Sequence, residues 1–289
     1  MEQINKITAK QKMQNYLRHP GSLILAIITN LAIIITVMTL GFILLYILVK
    51  GIPNLTPELF ELKYTSENVS MLPAIINTLI ITLLSLCIAG PIGIFSAIYL
   101  VEYAKKGNKL VEVIRITAET LSGIPSIVYG LFGMLFFVTT MKCGYSLLAG
   151  SLTLSIMVLP TIMRTTEEAL LAVPNSFREG SFGLGAGKLR TIFRIVLPSA
   201  IPGILAGVIL AIGRMVGETA ALIYTAGNVA ELPKSGIFSS GRTLAMHMYS
   251  LSKEGLYTDQ AYATAVVLLV VVVLINMLSN VVAKKFTKK

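Results

Sequence analysis

The chain carries apolar runs longer than a water-soluble core of this size accommodates. Gly21 to Val49 holds no charged side chain, and a second such run starts near Gln260 and closes over Asn276 to Ala283. A hydrocarbon layer of about 30 Å takes about 20 helical residues at about 1.5 Å each. Backbone N–H and C=O groups cannot stay unpaired in lipid, so helices must fill these runs. Six spans fit, at roughly 22–49, 71–101, 116–141, 145–163, 200–224 and 260–283. The expected fold is all-α, a polytopic membrane protein with six transmembrane helices. The first span is too long and too uniformly apolar for a cleaved signal peptide, and it reads as a retained helix.

Composition agrees, with 55% hydrophobic and 13% charged residues. The charges are unevenly placed. Lys6, Lys10, Lys12 and Arg18 precede span one; Lys105, Lys106, Lys109 and Arg115 separate spans two and three; Arg164, Arg178, Lys188, Arg190 and Arg194 separate spans four and five; Lys284, Lys285, Lys288 and Lys289 end the chain. These are 17 of the 24 basic residues, and only Lys50, Lys63, Lys142, Lys234, Arg242 and Lys253 fall on the other side. The positive-inside rule then puts both termini in the cytoplasm. The net charge of +10 is spread along one membrane face, whereas a nucleic-acid binder gathers its charge in a soluble patch. No nucleic-acid partner is expected. The terminal "KKFTKK" reads as an anchor to anionic lipid.

Cys87 falls mid-span and Cys143 in a short turn, so neither a disulfide nor a zinc site is expected. His19 and His247 are isolated, and His247, in the outer loop 225–259, is expected to be solvated. No nucleophile–base set stands out, so the chain is not read as an enzyme.

"EGSFGLGAGKLRTIFRIVLP", residues 179–198, imitates a phosphate loop and fails as one. A Walker loop ending in Gly187-Lys188 would need glycine where Phe182 stands and a hydroxyl where Leu189 stands. The stretch reads instead as a cytoplasmic helical hairpin. Pro174 interrupts the helix from span four, Ser176 and Glu179 have capping-box spacing, and Gly185 offers a left-handed stop. A second helix over 188–196 aligns Leu189, Ile192, Phe193 and Val196, and Pro198 is expected to break it before span five. Periodicity alone leaves two readings open: a hairpin lying on lipid, or one gripped by another protein.

The stretch resembles the cytoplasmic signature of binding-protein-dependent ABC importer permeases: E-A-A, three residues, G, nine residues, I-x-L-P. Glu179, Gly185, Ile195, Leu197 and Pro198 keep that spacing, while Gly180 and Ser181 replace the two alanines. The stretch at 77–86 resembles the opening of that family's core membrane domain, and three more, at 121–133, 163–174 and 213–227, are similar to its phosphate-importing branch. The resemblance implies a type I ABC importer permease core over 71–283 with a coupling hairpin at 175–197. Residues 1–70 would hold a cytoplasmic tail, an extra helix and an outer loop, and 284–289 a basic cytoplasmic tail. It implies that Glu179, Gly180, Ser181, Gly185 and Ala186 meet an ATPase. It also implies a second, related permease, two ATP-binding subunits that hold ATP and Mg, and an external phosphate-binding protein. This chain would bind no cofactor, and the setting would be a prokaryotic inner membrane.

Charges inside spans point to the cargo. Arg214 and Glu218 sit near the middle of 200–224, four residues apart and so on one helical face. A charge at such depth costs about 2.5–3.5 kcal/mol on the insertion scale and usually lines a pathway. The pair reads either as a structural salt bridge or as a path for an anion. Arg164 and Glu167, three residues apart, share a face at the end of span four. The resemblance implicates Arg164, Glu167 and Arg214 in phosphate passage, and Glu119 is a further candidate. Gly203 and Gly207, and again Gly213 and Gly217, have GxxxG spacing: the first pair suits static packing, the second brackets Arg214. The alternative readings are an importer of molybdate or sulfate, an ion-coupled secondary transporter and an intramembrane enzyme.

Overall fold

A computed structural model describes residues 20–105 and 107–287. The basic residues Lys6, Lys10, Lys12, Arg18, Lys106, Lys288 and Lys289, and with them His19, lie outside the described residues. The chain divides into two compact units, 1–50 and 51–289.

In the first unit, helix α1 begins at Pro20 and its helical run ends at Gly51. Its large apolar side chains, Leu25, Phe42 and Leu45 among them, are exposed, as lipid-facing residues are.

The second unit is helical, with no strand among the described residues. Its helices are α2 Leu72–Tyr103, α3 Lys109–Ser122, α4 Ser126–Thr140, α5 Leu147–Leu171, α6 Asn175–Gly183, α7 Lys188–Val216, α8 Ala220–Ile223, α9 Leu244–Glu254 and α10 Thr258–Thr287. Helices α1, α2, α5, α7 and α10 are each long and apolar enough to cross a membrane, and α3 with α4 makes a sixth span only if a bent pair counts as one.

That pair corrects the expected single span 116–141, in which Pro125 predicts a kink rather than a break. Helix α3 starts earlier, where the Asn108 side chain accepts the Leu110 N–H at 3.0 Å. It stops at Ser122, and α4 leaves at 103°. Pro125 has no N–H and holds Ile124 away from helical backbone, so the chain must turn here. The Leu121 carbonyl accepts both the Tyr129 hydroxyl at 2.8 Å and the Ile124 N–H at 3.1 Å, which ties α4 to the end of α3.

Helix α5 is the centre of the unit. It packs chiefly against α2 and α7, burying Leu154, Met157, Val158 and Ile162. Its contact with α2 is stitched by hydroxyls: Ser85 Oγ donates to the Ser151 carbonyl at 3.0 Å and Ser155 Oγ to the Ser85 carbonyl at 3.2 Å. Such bonds hold helices together where apolar faces alone give little preference for protein over lipid. A Cβ at Gly203 would stand 2.6 Å from that of Ala169, and one at Gly207 would overlap Thr165. These two glycines are therefore what lets α7 lie flat on α5. Nothing stands within 4 Å of where a Cβ on Gly213 would be, so the second glycine pair does no such packing.

Residues 51–70 fold with the second unit, not with the first helix. Leu59 and Met71 are buried against Leu244 and Ala263, and the Met71 N–H donates to the Leu59 carbonyl at 2.8 Å. The outer loop is likewise folded. Helix α9 is anchored where the Leu244 N–H donates to Thr78 Oγ1 at 2.8 Å, and His247 is completely buried. The expectation of a solvated His247 was wrong because the loop forms a helix with its own inward face.

Candidate functional site

Three groups of residues stand out. The first lies where α3 crosses α5. Helix α5 runs to Leu171, well past the expected end at 163, so Arg164 and Glu167 are inside it. Arg115 and Glu119 are four apart on α3, Arg164 and Glu167 three apart on α5, and the two sets interlock. Arg115 Nη2 lies 2.5 Å from Glu167 Oε1, and Arg164 Nη1 lies 3.6 Å from Glu119 Oε1. They surround a cavity of about 310 Å³ that Met163, Glu168 and Leu171 complete. Glu167 is buried, whereas the Glu119 side chain is 72% exposed. The rim holds two guanidinium groups and three carboxylates, so each cation is already answered. Such a cluster can lock two helices and release them when an anion competes, but it is no strong anion trap. Arg115 escaped the sequence reading because it was counted with the positive-inside charges. The signal that could have found it is its i,i+4 spacing to Glu119.

The second group surrounds Arg214. Helix α7 ends at Val216, so Arg214 stands in its last turn and Glu218 lies beyond it. The expected i,i+4 face therefore does not exist. Glu218 is buried and accepts the Ala221 N–H at 3.1 Å, which ties down the chain before α8. No carboxylate among the described residues pairs with Arg214. It lines an open groove of about 720 Å³ together with Thr161, Gly213 and Asn276 and the apolar side chains of α7. Thr161 and Asn276 were not singled out in the sequence, although a lone Asn inside the run "VVVVLINML" was a visible signal.

The third group is the hairpin. Helix α6 ends at Gly183, the turn passes through Gly185 at φ +81°, and α7 begins at Lys188. Pro174 precedes α6 as expected, but Ser176 and Glu179 make no capping box, because Pro174 itself occupies the capping position. Nor does Pro198 break the second arm. A π-helical turn over Ile192–Val196 widens the ladder just where Pro198 can donate no N–H, and α7 continues to Val216. The hairpin is thus one piece with the helix that carries Arg214.

Ser181 is buried in the hairpin, its Oγ 2.8 Å from Thr191 Oγ1, so it joins the two arms. Glu179, Gly180 and Gly185 are exposed and Ala186 is half-buried. Around them Phe177, Phe182 and Leu189 are exposed, and Leu184 at the tip is 91% exposed. At the base, Arg178 sends Nε and Nη2 to Glu102 Oε1 at 3.1 and 2.7 Å. It also serves the Val173 and Leu170 carbonyls at 2.8 and 2.9 Å. One guanidinium therefore joins the hairpin to the ends of α2 and α5.

Residues 89–289 match the family described as binding-protein-dependent transport system inner membrane component. The chain is 33% identical over 263 residues to the probable ABC transporter permease protein YqgI of Bacillus subtilis (strain 168), covering 84% of this chain and 89% of that protein. It is 34% identical over 264 residues to the phosphate transport system permease protein PstA of Pasteurella multocida (strain Pm70), covering 87% and 90%. Among solved structures, a chain of a bacterial alginate ABC transporter in complex with its periplasmic protein matches with a TM-score of 0.69. That match is 17% identical and covers 95% of this chain and 98% of that one, a likeness of fold.

Proposed function

The chain belongs to the family of binding-protein-dependent inner-membrane transport components, as a multi-pass permease, and we propose that it is the phosphate-conducting permease subunit of an ATP-driven importer. Arg214 carries this reading. It is a guanidinium without a carboxylate partner among the described residues, inside a span and facing an open groove. A charge so placed is costly unless water or an anion meets it, and a guanidinium fork matches the oxygens of phosphate. Similarity to PstA over most of both chains supports phosphate as that anion.

The chain supplies half of a path; a second, related permease supplies the other half. Two ATP-binding subunits hold ATP and Mg and carry out the hydrolysis, so this chain is not itself an enzyme. An external phosphate-binding protein delivers the cargo. Both termini and the hairpin are cytoplasmic, in a prokaryotic inner membrane. The exposed Phe182 and Leu184, beside Glu179 and Gly180, seat in the ATPase. Because α7 runs unbroken from hairpin to Arg214, a push on the hairpin moves that residue directly. Arg178 carries the same push to α2 through Glu102. Phosphate leaving the groove then competes with Glu119 and Glu167 for Arg164 and Arg115.

The test is Arg214→Gln in the complete transporter reconstituted in vesicles. Co-purification of the subunits should be unchanged, and ATP-dependent phosphate uptake should fall at least about tenfold. Uptake at the normal rate would defeat the reading, and sulfate uptake without phosphate uptake by the unaltered transporter would reassign the cargo.

A further inference from the structure

Arg214 does not face its groove alone. Thr161 comes to it from α5 and Asn276 from α10, so three polar side chains on three different helices line one space. All three lie within candidate membrane spans and are half-buried. The Thr161 hydroxyl, the Asn276 amide and the Arg214 guanidinium have no hydrogen-bond partner among the described residues. Thr78, Thr153, Thr165, Thr225 and Thr264 each return their hydroxyl to the carbonyl four residues back, whereas Thr161, like the buried Thr82 and Thr166, does not; of these three, only Thr161 lines the groove. Polar groups in a membrane interior are expensive unless satisfied, so what fills the groove must satisfy them. Gly213 keeps it open, since nothing stands within 4 Å of where its Cβ would be.

We propose that Thr161, Asn276 and Arg214 form one mid-membrane binding site for a protonated tetrahedral oxyanion, with Thr161 and Asn276 as its selectivity residues. The proposal rests on the reading of Arg214 as the residue that meets phosphate and extends it to the neutral partners. The chemistry divides naturally. Arg214 supplies charge and two parallel donors. A hydroxyl and an amide each donate and also accept. Phosphate near neutral pH keeps at least one P–OH, which needs an acceptor, whereas sulfate has none to offer. A site made only of cations would hold either anion; one with a threonine oxygen and an amide oxygen favours the protonated one. A single full charge also leaves the anion free to move on, whereas the carboxylate-rich cavity between α3 and α5 would repel it until its ion pairs exchange.

The experiment uses the complete reconstituted transporter with inorganic phosphate as the probe. Thr161→Val and Asn276→Leu should each lower maximal uptake by about tenfold, the scale of losing one hydrogen bond to a charged group. The external phosphate concentration for half-maximal uptake should stay unchanged, because capture from solution happens on another subunit. Thr161→Ser and Asn276→Gln should restore most of the rate, which a purely space-filling role would not require. Asn276→Asp should be worse than Asn276→Leu, since it puts a carboxylate against the anion. Wild-type uptake in both Thr161→Val and Asn276→Leu overturns the site. Failure of Asn276→Leu to assemble, with full uptake in Thr161→Val, assigns Asn276 to packing and overturns it equally. If the unaltered transporter moves a different oxyanion, the phosphate reading fails first, and the same variants measured with that anion still decide whether these three residues form its site.

Discussion

Two arginines inside this bundle have opposite surroundings. Arg178 spends its guanidinium on a carboxylate and two helix-end carbonyls, and its side chain and that of Glu102 are only 14% and 8% exposed. Arg214 has neither a carboxylate nor a carbonyl among the described residues and looks into a groove. In the sequence Arg178 reads as one of the basic residues between two spans and Arg214 as a charge inside one, which says nothing of what either guanidinium meets. Their partners separate them: a guanidinium whose donors are all used holds structure together, and one whose donors are idle is available to a ligand. The α3–α5 cluster falls between, with a close pair at Arg115–Glu167 and a loose one at Arg164–Glu119.

The largest effect expected from this contrast is on stability. Arg178→Ala would strand the Glu102 carboxylate in a buried site, and removing one member of such a pair costs about 3–5 kcal/mol. The detergent-solubilised chain should unfold at a clearly lower temperature, followed by size-exclusion chromatography after heating. Arg214→Gln, by contrast, removes a charge with nothing to lose and should leave that temperature nearly unchanged while stopping uptake. Equal destabilisation by the two would erase the distinction.

A smaller effect distinguishes the two glycine pairs of α7. Gly207→Val would drive a side chain into Thr165 of α5, and overpacking of this kind costs about 1–3 kcal/mol. Gly213→Ala meets nothing within 4 Å and should leave stability unchanged while narrowing the groove beside Arg214. The same thermal measurement resolves them, and a Gly213→Ala chain as unstable as Gly207→Val would mean that the groove is tightly filled by protein.

Much of this was legible in the sequence, for physical reasons that also explain the omissions. Apolar runs announce spans, and Pro174 and Gly185 mark the hairpin because proline and a left-handed glycine act locally. What failed depended on partners far along the chain. Pro198 looks like a breaker, yet a π-helical turn absorbs it. Glu218 has the spacing to pair with Arg214, but the helix ends first. Arg115 and Arg178 look like interfacial charges until the carboxylates of Glu167 and Glu102, distant in sequence, arrive beside them. The buried state of His247 depends on the helix Leu244–Glu254, whose apolar residues Leu244, Met246 and Leu251 a reading of 225–259 as one solvated loop passes over.

That histidine offers the smallest effect and the intermediate case. Arg242 is buried with no carboxylate within ion-pair distance among the described residues. Its Nε and Nη2 reach the Asn228 carbonyl at 3.4 and 3.2 Å, its charge lies over the Tyr64 ring, and Nη1 faces His247 Nδ1 at 3.4 Å. Burial lowers the Arg242 pKa, with Tyr64 and Glu254 opposing, and burial followed by the Arg242 charge lowers that of His247 to about 4. An unfolded histidine takes up its proton near pH 6.5. Between pH 6.5 and 4 the unfolded chain therefore binds more protons than the folded one, and stability must fall as the solution is acidified through that window. From pH 6.5 to 5.5 the loss should be about 1 kcal/mol, read as a drop in unfolding temperature. His247→Gln keeps a polar side chain beside Arg242 without the proton, and it should flatten that part of the profile. An unchanged slope in His247→Gln would show that the neutral imidazole is not what lets Arg242 stay charged and buried, and Arg242 would then belong with Arg178 rather than between the two.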